Sequence, residues 1–194
     1  MLKRTIPWML LAGLALSLGA CGAGSKDSAE AEKVLTPAEV DKKITRTAEQ
    51  KNNSVVYRIL DTVDDDKGAQ WPLDFLNIFK SSGNRYNYIQ LRVDPRYNFE
   101  IVDGQPLELK IGSESYTLKN DANSRNRVAL YSVTEQLDAL KKADSVSLTF
   151  MIKPDFSRSG TEKRTIAIKK PVLQGWRKVD SIKDPNVFYP SANY

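Results

Sequence analysis

Short runs in which apolar and polar residues alternate recur along most of the chain, and they restrict the fold more than any other feature. Val146, Leu148, Phe150 and Ile152 alternate with Ser147, Thr149 and Met151. Leu107-Glu108-Leu109-Lys110-Ile111 repeats the pattern, and Ile89, Leu91 and Val93 oppose Gln90 and Arg92. A period of two puts one set on each face of a strand. Further β-prone runs occupy 55–60, 99–101, 115–118, 128–131 and 164–169. Most of these strands keep one face for water, which points to antiparallel sheets. Asp103-Gly104 is a hairpin dipeptide, and Gly112-Ser113 supplies a second turn. The expected class is mainly β, with about seven to nine strands in an antiparallel β-sandwich or partly open barrel.

Several segments break the alternation. Thr36-Pro37-Ala38-Glu39 has capping-box spacing with proline at the first helical position. Val40, Ile44 and Ala48 then recur every fourth residue, so a helix is expected over 36–50. Ser132-Val133-Thr134-Glu135 repeats the capping spacing before a short helix over about 134–142. Trp71, Phe75, Leu76, Ile78 and Phe79 show no alternation, and read as a short helix or loop plugging one end of the sheet. Residues 172–179 read as a last strand bent at Gly175, with Trp176 in the core.

The 194 residues include no histidine and one cysteine. Imidazole-based triads, Cys-His pairs and His-ligated zinc are therefore excluded, as are an intramolecular disulfide and a Cys-x-x-Cys pair. There is no Gly-x-x-x-x-Gly-Lys loop, no Gly-x-Gly-x-x-Gly and no Ser-x-x-Lys. No cofactor is expected.

The one cysteine stands in a telling place. Lys3 and Arg4 precede an apolar stretch from Ile6 to Leu18, and Leu18-Gly19-Ala20-Cys21 follows. A charged start, an apolar middle and small residues make the layout of a secretory leader. The apolar stretch is shorter than the ~20 residues a spanning helix needs. Leu18-Gly19-Ala20-Cys21 resembles the lipobox of bacterial lipoproteins. The resemblance covers only the first residues of the chain. It implies a diacylglyceryl thioether on Cys21, cleavage before it and acylation of the new amino group. Two or three acyl chains hold a protein at a membrane far more durably than one. Gly22 does not match the Asp that retains such proteins at the inner membrane, so the resemblance favours the outer membrane.

The chain then divides into a signal peptide (1–20), the lipidated cysteine and a small, polar tether (21–35), the helix (36–50) and a β-rich periplasmic or surface domain (51–194). Loss of residues 1–20 removes Lys3 and Arg4 but no acid, so a net charge of +5 falls to +3. So small a charge gives no reason to expect a nucleic-acid partner. The expected contacts are the membrane, through acyl chains on Cys21, and an envelope protein or component.

Three functional expectations compete. The first is a non-catalytic binding or assembly module at the outer membrane. The second is a small-ligand or glycan binder with a groove built from Trp71, Phe75, Tyr86 and Tyr88. The third is a hydrolase using paired carboxylates or a metal, with the Asp61, Asp64 and Asp66 cluster as candidate cation site. A late basic run (Lys163, Arg164, Lys169, Lys170, Arg177, Lys178) and the aromatic tail of Phe188, Tyr189 and Tyr194 are further candidate contact surfaces.

Overall fold

Two antiparallel sheets carry the fold in the computed structural model, which describes residues 34–121, 127–154 and 160–183. In chain order the strands are β1 (Ile44–Glu49), β2 (Ser54–Asp64), β3 (Gln70–Lys80), β4 (Arg85–Arg92), β5 (Phe99–Ile101), β6 (Leu107–Ile111), β7 (Glu114–Leu118), β8 (Val128–Ser132), β9 (Val146–Pro154) and β10 (Glu162–Ile168). The helices are α1 (Pro37–Lys43), α2 (Leu137–Lys142) and α3 (Lys170–Ser181). Sheet A runs β1-β2-β3-β4-β8, and sheet B runs β10-β9-β6-β7, with β5 also paired to β9. The sheets form a sandwich rather than a closed barrel. The lipobox, Cys21 and the aromatic tail lie outside the described residues, as does most of the tether.

The strands expected from alternation are present, and the best example is β9. Val146, Leu148, Phe150 and Ile152 are buried, while Ser147, Thr149 and Met151 are half-buried. The Gly112-Ser113 turn joins β6 to β7, with Ile111 paired to Glu114 and Gly112 at φ 58°. The Asp103-Gly104 dipeptide makes no hairpin. β5 and β6 lie one after the other along the same side of β9, so the turn is a break in one path.

Four expectations are corrected. The first helix is capped as expected: Thr36 Oγ1 accepts from Glu39 N, and Glu39 returns to Thr36 N. It ends at Lys43, however, and 44–49 form β1. Residues four apart share a face in a strand as well as in a helix, so Ile44 and Ala48 fit either. Pairing with β2 and the β-branched Ile44, Thr45 and Thr47 select the strand. The second capping box does not form, because Ser132 belongs to β8 and Thr134 Oγ1 instead accepts from Asn87 N. The apolar run at 71–79 is β3, the middle strand of sheet A. Residues 172–179 belong to α3, with Pro171 in the first turn and Val172, Leu173, Trp176 and Val179 buried.

Trp71 and Phe75 lie on the inner face of β3 and join it to two different layers. Trp71 meets Phe150 of sheet B edge to face at 4.9 Å. Phe75 stacks on Trp176 of α3 at 5.3 Å. Polar contacts hold the end of α3: Asn77 Nδ2 donates to Val179 O at 2.9 Å, Arg85 pairs with Asp180, and Lys141 Nζ lies 3.2 Å from Asp180 Oδ2. The cations at this helix C-terminus also complement its dipole. Hydrogen bonding to Asp180 raises the Lys141 pKa.

Candidate functional site

Sheet A has one face against the core and one facing outward. The inner face carries Ile59, Val63, Trp71, Leu73, Phe75, Ile89, Leu91 and Tyr131, all buried. The strand period then turns Leu60, Asp74, Leu76, Ile78, Tyr86, Tyr88, Gln90, Arg92 and Leu130 outward. In register, Leu60 stands opposite Asp74, Asp74 opposite Gln90, and Gln90 opposite Leu130. One row away, Arg58 opposes Leu76, and Leu76 opposes Tyr88.

A charged stripe crosses this face diagonally over β2, β3 and β4. The Arg58 Nε donates to Asp74 Oδ1, and Arg92 Nη2 lies 2.9 Å from Asp74 Oδ2. The Asp74 side chain is 0% exposed, whereas Arg58 is 36% and Arg92 33% exposed. Long arginine stems can cover apolar surface while their heads stay wet, so the carboxylate is sealed beneath two accessible cations. Two guanidinium groups on one carboxylate leave the stripe with a net charge of +1. Around it, Leu60 is 42% exposed and Tyr86 and Tyr88 are half-buried. Lys80 Nζ lies 5.3 Å from the Tyr86 ring centre. Burial, followed by the negative charge of Asp121, raises the Tyr88 pKa.

The expected groove does not assemble. Trp71 and Phe75 are 1% exposed in the core, whereas Tyr86 and Tyr88 lie on the opposite face of the same sheet. The hollow between Phe75, Leu140, Trp176 and Asp180 holds about 10 Å³, room for roughly one water and too little for a sugar ring.

The acidic turn is a structural clasp rather than a cation loop. Asp65 is buried and accepts from Lys67 N, Ala69 N and Trp71 Nε1 at 2.9–3.0 Å, and from Arg164 Nη1 at 3.3 Å. Asp66 N donates to Thr165 O at 2.8 Å, and Asp66 Oδ1 accepts from Thr165 N at 2.9 Å, which ties the β2–β3 turn to the edge of β10. Asp61 pairs with Lys43, and Asp64 is exposed. Asp61, Asp64 and Asp66 thus do not converge, and among the described residues no group of three or more acids or cysteines is placed to hold a metal. The late basic run is likewise partly structural: Arg164 is buried against Asp65, Arg177 donates to Ala143 O, and Lys178 pairs with Asp41 at 3.1 Å.

Arg58, Asp74 and Arg92 were not among the expected site residues. The legible trace was Asp74 itself, one acid inside Trp71-Pro72-Leu73-Asp74-Phe75-Leu76. Its partners come from two other strands, and only the register brings them together.

Fold and face together define a two-sheet antiparallel sandwich whose outer sheet surface mixes apolar and charged residues. The chain belongs to the family described as "Protein of unknown function (DUF3122)", which it matches over residues 43–179. That span runs from the last residue of α1 into α3. No curated protein matches the sequence. Among solved structures, the chain is similar to the crystal structure of invasion associated protein b from Bartonella henselae. The identity is 9% and the TM-score 0.43, over 71% of this chain and 88% of that one.

Proposed function

We propose that this chain is a bacterial cell-envelope lipoprotein, anchored by acyl chains on Cys21, whose sandwich is a non-catalytic binding or assembly module at the outer membrane. The observation that carries the binding role is the outer face of sheet A. There Leu60, Tyr86, Tyr88 and Leu130 surround the Arg58–Asp74–Arg92 stripe. Antiparallel sheets ordinarily give their wet face to polar residues, and a half-apolar face rich in Tyr and Arg has the composition of a contact surface. The anchor rests on Leu18-Gly19-Ala20-Cys21 and the apolar stretch before it, and outer-membrane placement rests on Gly22. Residues 21–35, small and polar in sequence, would then be the tether that links the anchor to the sandwich.

Membrane fractionation of the Cys21→Ser chain tests the anchor. The substituted chain is expected in the soluble fraction while the natural chain sediments with membranes. Continued sedimentation of the substituted chain would mean that residues 1–20 remain as an uncleaved anchor, or that another surface binds the membrane.

A further inference from the structure

We infer that the outer face of sheet A docks a protein surface that presents a carboxylate among apolar side chains, with the carboxylate seated on Arg58 and Arg92. This deepens the binding-module reading and rests on it. Three observations carry it.

The first is that β3 is apolar on both faces. Trp71, Leu73 and Phe75 face the core, while on the other face Leu76 is buried beneath its neighbours, Ile78, Tyr88 and Leu130 are half-buried, and Leu60 is exposed.

The second is charge. Asp74 is fully buried and neutralises only one of the two guanidinium groups that flank it. It accepts a hydrogen bond from Arg58 and lies 2.9 Å from Arg92 Nη2, so a partner's carboxylate meets one cation held by a hydrogen bond and a second held by charge. The exposed third of the Arg92 side chain and of Arg58 is what a partner can reach, since Arg92 Nε and Asp74 Oδ2 are themselves buried. A carboxylate accepts from guanidinium donors in charge-assisted bonds, which are stronger than neutral ones.

The third is shape. The face is spread over three paired strands, and so broad a sheet surface suits a protein partner better than a small ligand. A second copy of the chain would bring the same +1 stripe against itself and meet like charge. Headgroup adsorption draws on clusters of about four to eight cations, more than this stripe offers.

The test is photocrosslinking of the full chain in its own cells. A benzophenone amino acid replaces Tyr88 on the outer face or, as a control, the exposed Lys110 on sheet B. The expected result is a discrete protein adduct from position 88 and not from 110, with Asp or Glu in the crosslinked partner peptide. Its yield should fall about tenfold or more with Arg92→Gln, the scale of a lost charge-assisted hydrogen bond. Leu60→Asp, at an exposed position, should have the same effect and decides the matter if Arg92→Gln fails to fold.

An adduct with a second copy or with lipid, the same adduct from both positions, no adduct from 88, or a yield unmoved by the folded variants would overturn the inference. Fractionation of the same cells reads the anchor separately. A soluble natural chain that still makes the charge-dependent adduct would sink the anchor and keep the docking face. An anchored chain without that adduct would do the reverse.

Discussion

Gly175 of α3 lies so close to Ile59 of β2 that a Cβ at position 175 would sit 2.5 Å from Ile59 Cδ1. Ile59 is 1% exposed, so its side chain has little room to turn away. This glycine permits a close approach of helix to sheet, and the contact is one of those that seat α3 over Phe75.

Gly175→Ala sets two effects against each other. Alanine gains about 1 kcal/mol of helix propensity, while overpacking of a core costs about 1–3 kcal/mol. A net loss of about 1 kcal/mol is expected in urea unfolding. Ile59→Val removes the clashing methyl and alone costs about 0.5–1.5 kcal/mol. The double variant should therefore be more stable than the sum of the two losses, by about 1 kcal/mol or more of coupling. Strict additivity would mean that the contact does not set the distance between α3 and β2.

Asp65→Ala removes the acceptor shared by Trp71 Nε1, Arg164 and two backbone amides. It leaves the buried Arg164 with Glu162, whose carboxylate lies 3.0 Å away and is 38% exposed. Breaking a buried pair costs about 3–5 kcal/mol, and a loss near the lower end is expected because Glu162 remains. Unfolding midpoints measure it. Millimolar calcium should leave the melting temperature of the natural chain unchanged, since Asp65 and Asp66 are engaged as structural acceptors. A clear rise with calcium would restore the cation-site expectation for this turn.

Tyr131 predicts the alkaline limb of stability. Burial pushes its hydroxyl up to about 12, against about 10 for an unfolded tyrosine. As pH rises through that window, the unfolded state loses the proton first while the native state keeps it. Stability therefore falls with rising pH, by up to about 1.4 kcal/mol per unit from this group. Tyr131→Phe removes the titration, so the natural chain should lose ground to the variant between about pH 10 and pH 12. Urea midpoints of both chains across that window should show it, and parallel pH profiles would contradict it.

Strands with one wet face were legible in the sequence because alternation survives only when the two faces differ. β9 and β6 are of this kind. β3 was not legible, because it is apolar on both sides and its period disappears. The same cause conceals the strand and creates the candidate contact face. Positions 44 and 48 could not separate helix from strand, since a spacing of four fits both. In α3 the spacing of Val172, Leu173, Trp176 and Val179 was helical, and Gly175 marked a close contact with Ile59 rather than a bend. The groove expectation failed on one point of parity: Trp71 and Phe75 share the inner face, whereas Phe75 pairs with Ile89 and so sets Tyr86 and Tyr88 on the outer one. Arg58, Asp74 and Arg92 meet only through the register of three strands, which no local pattern records.

Mass spectrometry of the natural chain purified from its own cells tests the central claim most directly. A mature chain that begins at Cys21, with a diacylglyceryl thioether on its sulfur and an acyl group on its amino terminus, is the predicted result. An unmodified Cys21, or a mature chain that begins elsewhere, would contradict it.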